Sequence, residues 1–291
     1  MAPEQQPTIG FIGLGAMGSR MAANVAAAGF PMICFDAAGT KERAPDGAAI
    51  GASVGAVASK AEIVILSLPN GAVSASVAEE IIETNQRAVS TIIDTSTIGV
   101  AAAKAVHGRL AGSHMAYMDA PVSGGIAGAA AGSLALMFAG AEADFETLLP
   151  MLKAMSKNPF HVGTEPGQAQ AMKLLNNFLS GLAMTGTSEA IAFGLTQGLE
   201  MSTMLDVLNA SSGQNTATSD KFPNRIMTEA YNAEFLNTMY LKDISLYVEN
   251  VTNADTPVVV SRNLLEIWQR FAAAEPGADL TRIFPFVRDK R

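Results

Sequence analysis

The stretch Thr8-Ile9-Gly10-Phe11-Ile12-Gly13-Leu14-Gly15-Ala16-Met17-Gly18 decides how this chain is read. Its first five residues form a short apolar run with strand character. The run passes into Gly-x-Gly-x-x-Gly and a helical stretch over 16–28, closed by Gly29 where a helix C-cap is wanted. Strand, glycine turn and helix in that order is the context that gives such a glycine pattern weight. Gly13 permits the tight turn, Gly15 lets the backbone approach a pyrophosphate, and Gly18 lets the helix lie close to the strand. The anion then rests on free N–H groups at the helix N-terminus, which makes Leu14, Ala16 and Met17 binding candidates beside the three glycines.

Outward from that stretch, the chain to about residue 162 alternates β-rich runs with helical ones, the pattern of a parallel sheet covered on both faces. Strands are expected at 8–12, 32–35, 63–68, 91–93 and 134–139, and helices at 16–28, 54–59, 101–110 and 144–155. Asp36 follows the second strand, at the spacing where a carboxylate accepts hydrogen bonds from an adenosine ribose and repels a 2′-phosphate. The next residues, Ala37-Ala38-Gly39-Thr40, include no arginine to hold the extra phosphate of NADP. NAD is therefore favoured over NADP, although Lys41 and Arg43 lie near enough to complicate the choice. Leu68-Pro69 and Asp94-Thr95-Ser96-Thr97 fall at strand C-terminal ends, where an open α/β sheet binds its ligand.

Beyond Gly163-Thr164-Glu165-Pro166-Gly167 the character changes. A helical pattern without proline runs from Gly167 to about Gly198, longer than an ordinary globular helix, and further helical stretches follow. The expected fold is α/β: an N-terminal doubly wound Rossmann domain over 1–165 and a C-terminal all-α domain over 166–291, joined by a long helix. A length of 291 residues suits two domains at roughly 150 each.

Nineteen Lys and Arg against 27 Asp and Glu leave a net charge of −8, which argues against nucleic acid or an anionic membrane as a partner. With 49% hydrophobic and 16% charged residues the composition is that of a packed globule. The single cysteine, Cys34, can form neither an intramolecular disulfide nor a cysteine-rich metal centre, which fits a reducing cytoplasm. His107, His114 and His161 show no ligand spacing, so no metal is expected. The first seven residues lack the basic start of a secretion signal, and no apolar run reaches the roughly 20 residues of a membrane helix.

Four separated motifs stand out: Gly10 through Gly18; Asp119-Ala120-Pro121-Val122-Ser123-Gly124-Gly125 with Gly128-Ala129; Gly167 through Lys173 to Asn176-Asn177; and Lys242-Asp243. Together they resemble the β-hydroxyacid dehydrogenase family, the group of 3-hydroxyisobutyrate dehydrogenase and tartronate semialdehyde reductase. The resemblance implies hydride transfer between NAD and a small β-hydroxy acid or its semialdehyde. Candidate acids are 3-hydroxyisobutyrate, glycerate, a sugar acid or a sulfonate analogue. It also implies Lys173 as general acid/base, with Asn177 orienting the lysine or bonding the reacting oxygen. Ser123, Gly124 and Gly125 would hold the substrate carboxylate. Leu68, Pro69 and Thr97 would line the cofactor, and Lys242 would reach its nicotinamide end with Asp243 in support.

The residues support parts of this unaided. A hydroxyl and bare N–H groups in a glycine turn make a small anion nest. Gln170, Lys173 and Asn177, at i, i+3 and i+7, share one helix face. Two rival functions are a non-catalytic dinucleotide-binding module and an imine reductase on the same fold; Lys173 and the intact Ser-Gly-Gly weigh against both. The polar stretch 211–221 sits where relatives read the far end of their substrate, and leans toward a hydroxylated or anionic tail. Leu174, Leu175, Phe178, Leu179, Ile191 and Phe193 give the long helix more apolar surface than a monomer comfortably leaves wet, so a homodimer or homotetramer is expected.

Overall fold

The computed structural model describes residues 6–289. Residues 1–5, the start of the segment tested for a secretion signal and of the first expected domain, lie outside it, as do 290 and 291.

The chain forms two compact units, one running up to Lys173 and one from Leu174. The first is built on a nine-stranded sheet. Strands β1 (Ile9–Ile12), β2 (Met32–Phe35), β3 (Ala49–Ile50), β4 (Ile63–Leu66), β5 (Thr91–Asp94) and β6 (Ala116–Asp119) are all parallel, in the order β3-β2-β1-β4-β5-β6. The sheet then departs from the expected parallel pattern. β7 (Val122–Ser123) and β8 (Ala135–Ala139) pair antiparallel, while β9 (Asn158–Gly163) runs parallel to β8.

Strands β3, β6, β7 and β9 were not expected. β3 and β7 have two residues each, too short for any periodicity to register, and β9 contains Pro159, a residue with no ladder donor, tolerated because β9 pairs only β8.

Alternation along the strands sorts side chains to the two faces. Ile9, Phe11, Cys34, Ile65 and Ile93 face one core with Met21, Val25 and Met151 of α1 (Gly18–Ala27) and α6 (Glu142–Met155). Ile12, Ile33, Leu66 and Ile92 face the other, against α2 (Val54–Ala58), α3 (Gly71–Glu83) and α4 (Val100–Ala111). The strand order turns around at β1 and β4, so their C-terminal ends flank the crevice of a doubly wound sheet. A short α5 (Gly125–Ala130) follows β7, and α7 (Gln168–Thr196) leaves the unit.

The units part inside α7, later than the Gly/Pro joint at 163–167 suggested. The cause is packing: Ala169 lies against Met137 and Ala139, and Gln170 is fully buried with its hydrogen bonds spent on the sheet unit.

The second unit contains no strand among its described residues. Its helices are the remainder of α7, α8 (Met201–Asn209), a π-helix (Ala217–Ile226), α9 (Asn237–Asn253), α10 (Val259–Ala274), a 3-10 turn (Leu280–Arg282) and α11 (Ile283–Arg288). Trp268, Phe271, Phe222 and Ile244 are fully buried at its centre. The Trp268 indole N–H donates to Thr185 Oγ1 at 3.0 Å, so its polar atom costs nothing to bury. Among the described residues no helix is long and apolar enough to cross a membrane.

Candidate active site

The glycine loop divides its labour as its spacing demands. A Cβ on Gly13 (φ +94°) would overlap the Ser67 carbonyl, and one on Gly18 would overlap the Gly13 carbonyl. One on Gly15 would meet nothing within 4 Å. Two glycines therefore close the strand–helix packing, and the third leaves open space beside the backbone where a ligand can approach. Helices α2 and α3 begin with side-chain caps from Ser53 and Asn70, whereas α1 begins with none and with no acid in its first turn. Its N–H groups suit a pyrophosphate, so the loop fits a dinucleotide.

Asp36 stands at the end of β2 with its carboxylate engaged. Oδ2 accepts from the Leu14 N–H at 2.6 Å, and Oδ1 accepts from the Ala38 N–H at 2.8 Å and from Arg43 Nη1 at 3.0 Å. Arg43 thus lies against the residue that was to exclude a 2′-phosphate, though seven positions separate them. The turn brings back the cation whose absence directly after Asp36 favoured NAD.

The β4 and β5 ends form one hydrogen-bonded ledge. The Leu68 N–H donates to Ser96 Oγ at 2.7 Å, and the Ser96 N–H to Asp94 Oδ1 at 2.9 Å. Burial pushes the Asp94 carboxyl up to about 6, against the pull of its bonds to Ser96. The Tyr117 hydroxyl stands 3.4 Å from Asp94 Oδ2. Gln170 locks α7 to this ledge: Oε1 accepts from the Ile98 and Gly99 N–H groups at 2.9 and 3.1 Å, and Nε2 donates to the Ser96 carbonyl at 2.9 Å. Lys173, one turn on, is 7% exposed. Ser123 ends β7, and Gly124 (φ +137°) and Gly125 (φ +67°) lead into α5. A Cβ on Gly124 would press on Leu134 at 3.0 Å, while Gly125 opens onto free space, as an anion-binding turn needs.

In the second unit, Asn177 and Asp243 meet although 66 positions separate them: Asn177 Nδ2 donates to Asp243 Oδ2 at 2.7 Å. Lys242 Nζ lies 3.2 Å from Asp243 Oδ1, and the Tyr240 hydroxyl donates to the Asn177 carbonyl. By sequence alone Lys242-Asp243 reads as a surface ion pair; the structure buries Asp243 and gives it a partner on α7.

Within the polar stretch 211–221, Asn215 and Thr218 spend their polar groups internally, while Ser211, Ser212, Gln214, Thr216 and Ser219 stay exposed. Asn215 Oδ1 accepts from the Ala217 and Thr218 N–H groups, its Nδ2 donates to Thr187 Oγ1 and to the Gly213 carbonyl, and Thr218 is buried. These bonds start the π-helix, so Asn215 and Thr218 no longer count toward a polar substrate tail.

Comparison with known proteins adds an independent line. Residues 8–163 match the model described as "NAD binding domain of 6-phosphogluconate dehydrogenase" and residues 167–286 the one described as "NAD-binding of NADP-dependent 3-hydroxyisobutyrate dehydrogenase". The 3-hydroxyisobutyrate dehydrogenase of Pseudomonas aeruginosa is 33% identical over 298 residues, covering 97% of this chain and 99% of that one. The chain belongs to the β-hydroxyacid dehydrogenase family. A second relative, 2-(hydroxymethyl)glutarate dehydrogenase of Eubacterium barkeri, is 32% identical over 270 residues and covers 91% of this chain and 89% of its own. The solved 3-hydroxyisobutyrate dehydrogenase of Mycobacterium tuberculosis, described with L-serine, superposes with a TM-score of 0.90 at 28% identity, covering 97% of this chain and 99% of that one.

As a member of this family the protein is a nicotinamide-dinucleotide dehydrogenase acting on CH–OH groups. The carboxylates beneath the ledge, Asp94 and Asp119, stand in the quoted motifs, but the sequence assigns neither of them a role. Asp94 and Asp119 are register partners at the ends of β5 and β6, both fully buried. A usable signal existed, since each is an acid closing a β-rich run at the ligand end of the sheet.

Proposed function

We propose that the protein interconverts a 3-hydroxypropanoate substituted at C2 with the corresponding semialdehyde, with NAD as redox partner. The observation that carries this is Lys173, a lysine with 7% exposure one turn past the Gln170 lock on the ligand end of the sheet. The substrate class rests on shared chemistry. 3-Hydroxyisobutyrate, 2-(hydroxymethyl)glutarate and L-serine, the compounds named for the relatives, all carry a CH2OH group one carbon from a carboxylate.

When bound, the nicotinamide supplies the hydride acceptor or donor. Lys173 then takes or returns the hydroxyl proton, because hydride cannot leave an alcohol carbon productively unless that proton leaves too. Asn177, one turn further on, donates to the reacting oxygen as it gains alkoxide character, and Asp243 fixes the direction of its amide. Ser123, Gly124 and Gly125 hold the carboxylate. Gly13 to Gly18, with Leu68, Pro69 and Thr97, hold the dinucleotide, and the family resemblance assigns Lys242 to its nicotinamide end.

NAD is favoured because Asp36 keeps a carboxylate where a 2′-phosphate would lie. Arg43, 3.0 Å from that carboxylate, supports a second reading in which NADP is also used, with Arg43 turning to the phosphate. A reducing cytoplasm suits the buried Cys34, whose thiol burial pushes up to about 12.

A homodimer or homotetramer is proposed on part of the side chains first considered, Leu175, Leu179 and Phe193, joined by Met172 and Leu182. Leu174 and Ile191 are buried and Phe178 stacks on Tyr247 at 4.4 Å, whereas Met172, Leu175, Leu179, Leu182 and Phe193 are exposed on α7. A monomeric mass at micromolar concentration would count against it.

The test is a panel of 3-hydroxyisobutyrate, glycerate, L-serine and 2-(hydroxymethyl)glutarate, each with NAD and with NADP. Turnover of at least one is expected. No turnover with either dinucleotide sinks the substrate class, and preferential reduction of a cyclic imine would install the imine-reductase reading instead.

A further inference from the structure

Helix α7 begins without an acid of its own in its first turn. Its N-terminal donors are taken by a residue far away in sequence: Asp119 Oδ1 accepts from the Gly167 N–H and Oδ2 from the Gln170 N–H, both at 2.9 Å. Simple capping would need no such arrangement, since α2 and α3 are capped by the residue immediately preceding them. The distant cap also carries a cost, because burial raises the Asp119 carboxyl above its ordinary range despite these bonds.

A carboxylate reaching across from the sheet does something a local serine cannot: it fixes where the helix stands. Asp119 is the last residue of β6, four positions before Ser123, so the segment that carries the carboxylate nest and the helix that carries Lys173 are tied to one side chain. Gln170, three residues before Lys173, ties the same turn to Ser96, Ile98 and Gly99, the loop that also holds Thr97.

We propose that Asp119 and Gln170 are positioning residues that set Lys173 against the Ser123–Gly125 turn and the Ser96–Gly99 loop, so that the proton-transfer group meets a substrate held at its other end. This rests on Lys173 being the acid/base. Misplacing a reacting group by about 1 Å costs on the order of 100-fold in rate without abolishing binding.

The full-length variants Asp119→Asn and Gln170→Met are expected to lower kcat about 10- to 100-fold on the best panel substrate, while the dinucleotide Kd changes less than about threefold. Asp119→Asn keeps one acceptor and the shape of the side chain, so folding is retained, whereas Asp119→Ala removes both acceptors. Gln170→Glu keeps the acceptor for Ile98 and Gly99 and should recover part of the Gln170→Met loss. In a Lys173→Ala background, adding Asp119→Asn should cost nothing further, because there is no longer an ammonium to place.

A lowered unfolding temperature with unchanged kcat below it, or an undiminished further loss in the Lys173→Ala background, overturns the positioning role. Lys173→Ala alone separates the two failures. If it is unimpaired, the acid/base reading is wrong; if it is crippled beside fully active Asp119→Asn and Gln170→Met, only the positioning inference fails.

Discussion

Asp119 and Asp243 are both buried carboxylates that accept hydrogen bonds from α7, one in each unit, and they grip different parts of it. Asp119 takes backbone N–H groups of the first turn, so it holds the helix as a rod and every side chain on that rod moves with it. Asp243 takes the side-chain amide of Asn177 and leaves its other oxygen to Lys242 at 3.2 Å, whose side chain is 27% exposed. The difference separates placing a helix from aiming one amide. Loss of the first contact should propagate to Lys173, and loss of the second should stop at Asn177.

The largest effect tests what both grips serve. Lys173→Ala should lower kcat by about 100- to 10,000-fold while leaving dinucleotide affinity within about twofold. Lys173→Arg should not rescue it, since a guanidinium keeps its proton. An alanine variant retaining more than about a tenth of wild-type kcat removes the acid/base from the comparison.

Asp94, the register partner of Asp119, sharpens the contrast because it accepts from Ser96 and Tyr117 rather than from α7. Its carboxyl, raised from 3.8 to about 6 by burial, is protonated more readily folded than unfolded. The stability this gives is full below about 3.8 and is lost as pH rises through about 6. Asp94→Asn should therefore be more stable than wild type at pH 7 to 8, by on the order of 2 kcal/mol, and lose the fall in stability between pH 4 and 6. Denaturant unfolding across that range measures it, and an unchanged pH dependence refutes it.

Asp243→Ala should cost less than Lys173→Ala, about tenfold in kcat, the size of one charge-assisted hydrogen bond. A loss as large as that of Lys173→Ala would show that Asp243 does more than aim Asn177. Smallest is Asp36→Asn, expected to shift the ratio of kcat/KM for NADP over NAD upward by a few-fold, since one charge repelling a 2′-phosphate near solvent is worth about 1 kcal/mol. A wild type that already prefers NADP would overturn the Asp36 argument and favour Arg43.

Much of the first unit was legible because its demands are local. A tight turn after β1 and a close strand–helix contact require residues without Cβ at fixed spacing, and Gly13, Gly15 and Gly18 declare this in the sequence itself. The shared face of Gln170, Lys173 and Asn177 likewise follows from helix geometry. The short strands β3 and β7 were illegible, because two residues carry no period and form only when a neighbouring strand offers its ladder.

The polarity of 211–221 is a weaker guide, for the complementary reason. A sequence shows that Asn215 and Thr218 can hydrogen-bond but not to what, and the fold spends them on starting a helix. The sequence by itself determined the Rossmann unit and the helical unit after it, since each depends on patterns within a few residues, and its resemblance to a family singled out Lys173 as the acid/base candidate. Only the tertiary structure decided which carboxylates serve α7, that Arg43 lies on Asp36, and where the units part. Those contacts join distant positions, and a buried polar group takes whichever partner the packed chain brings within reach.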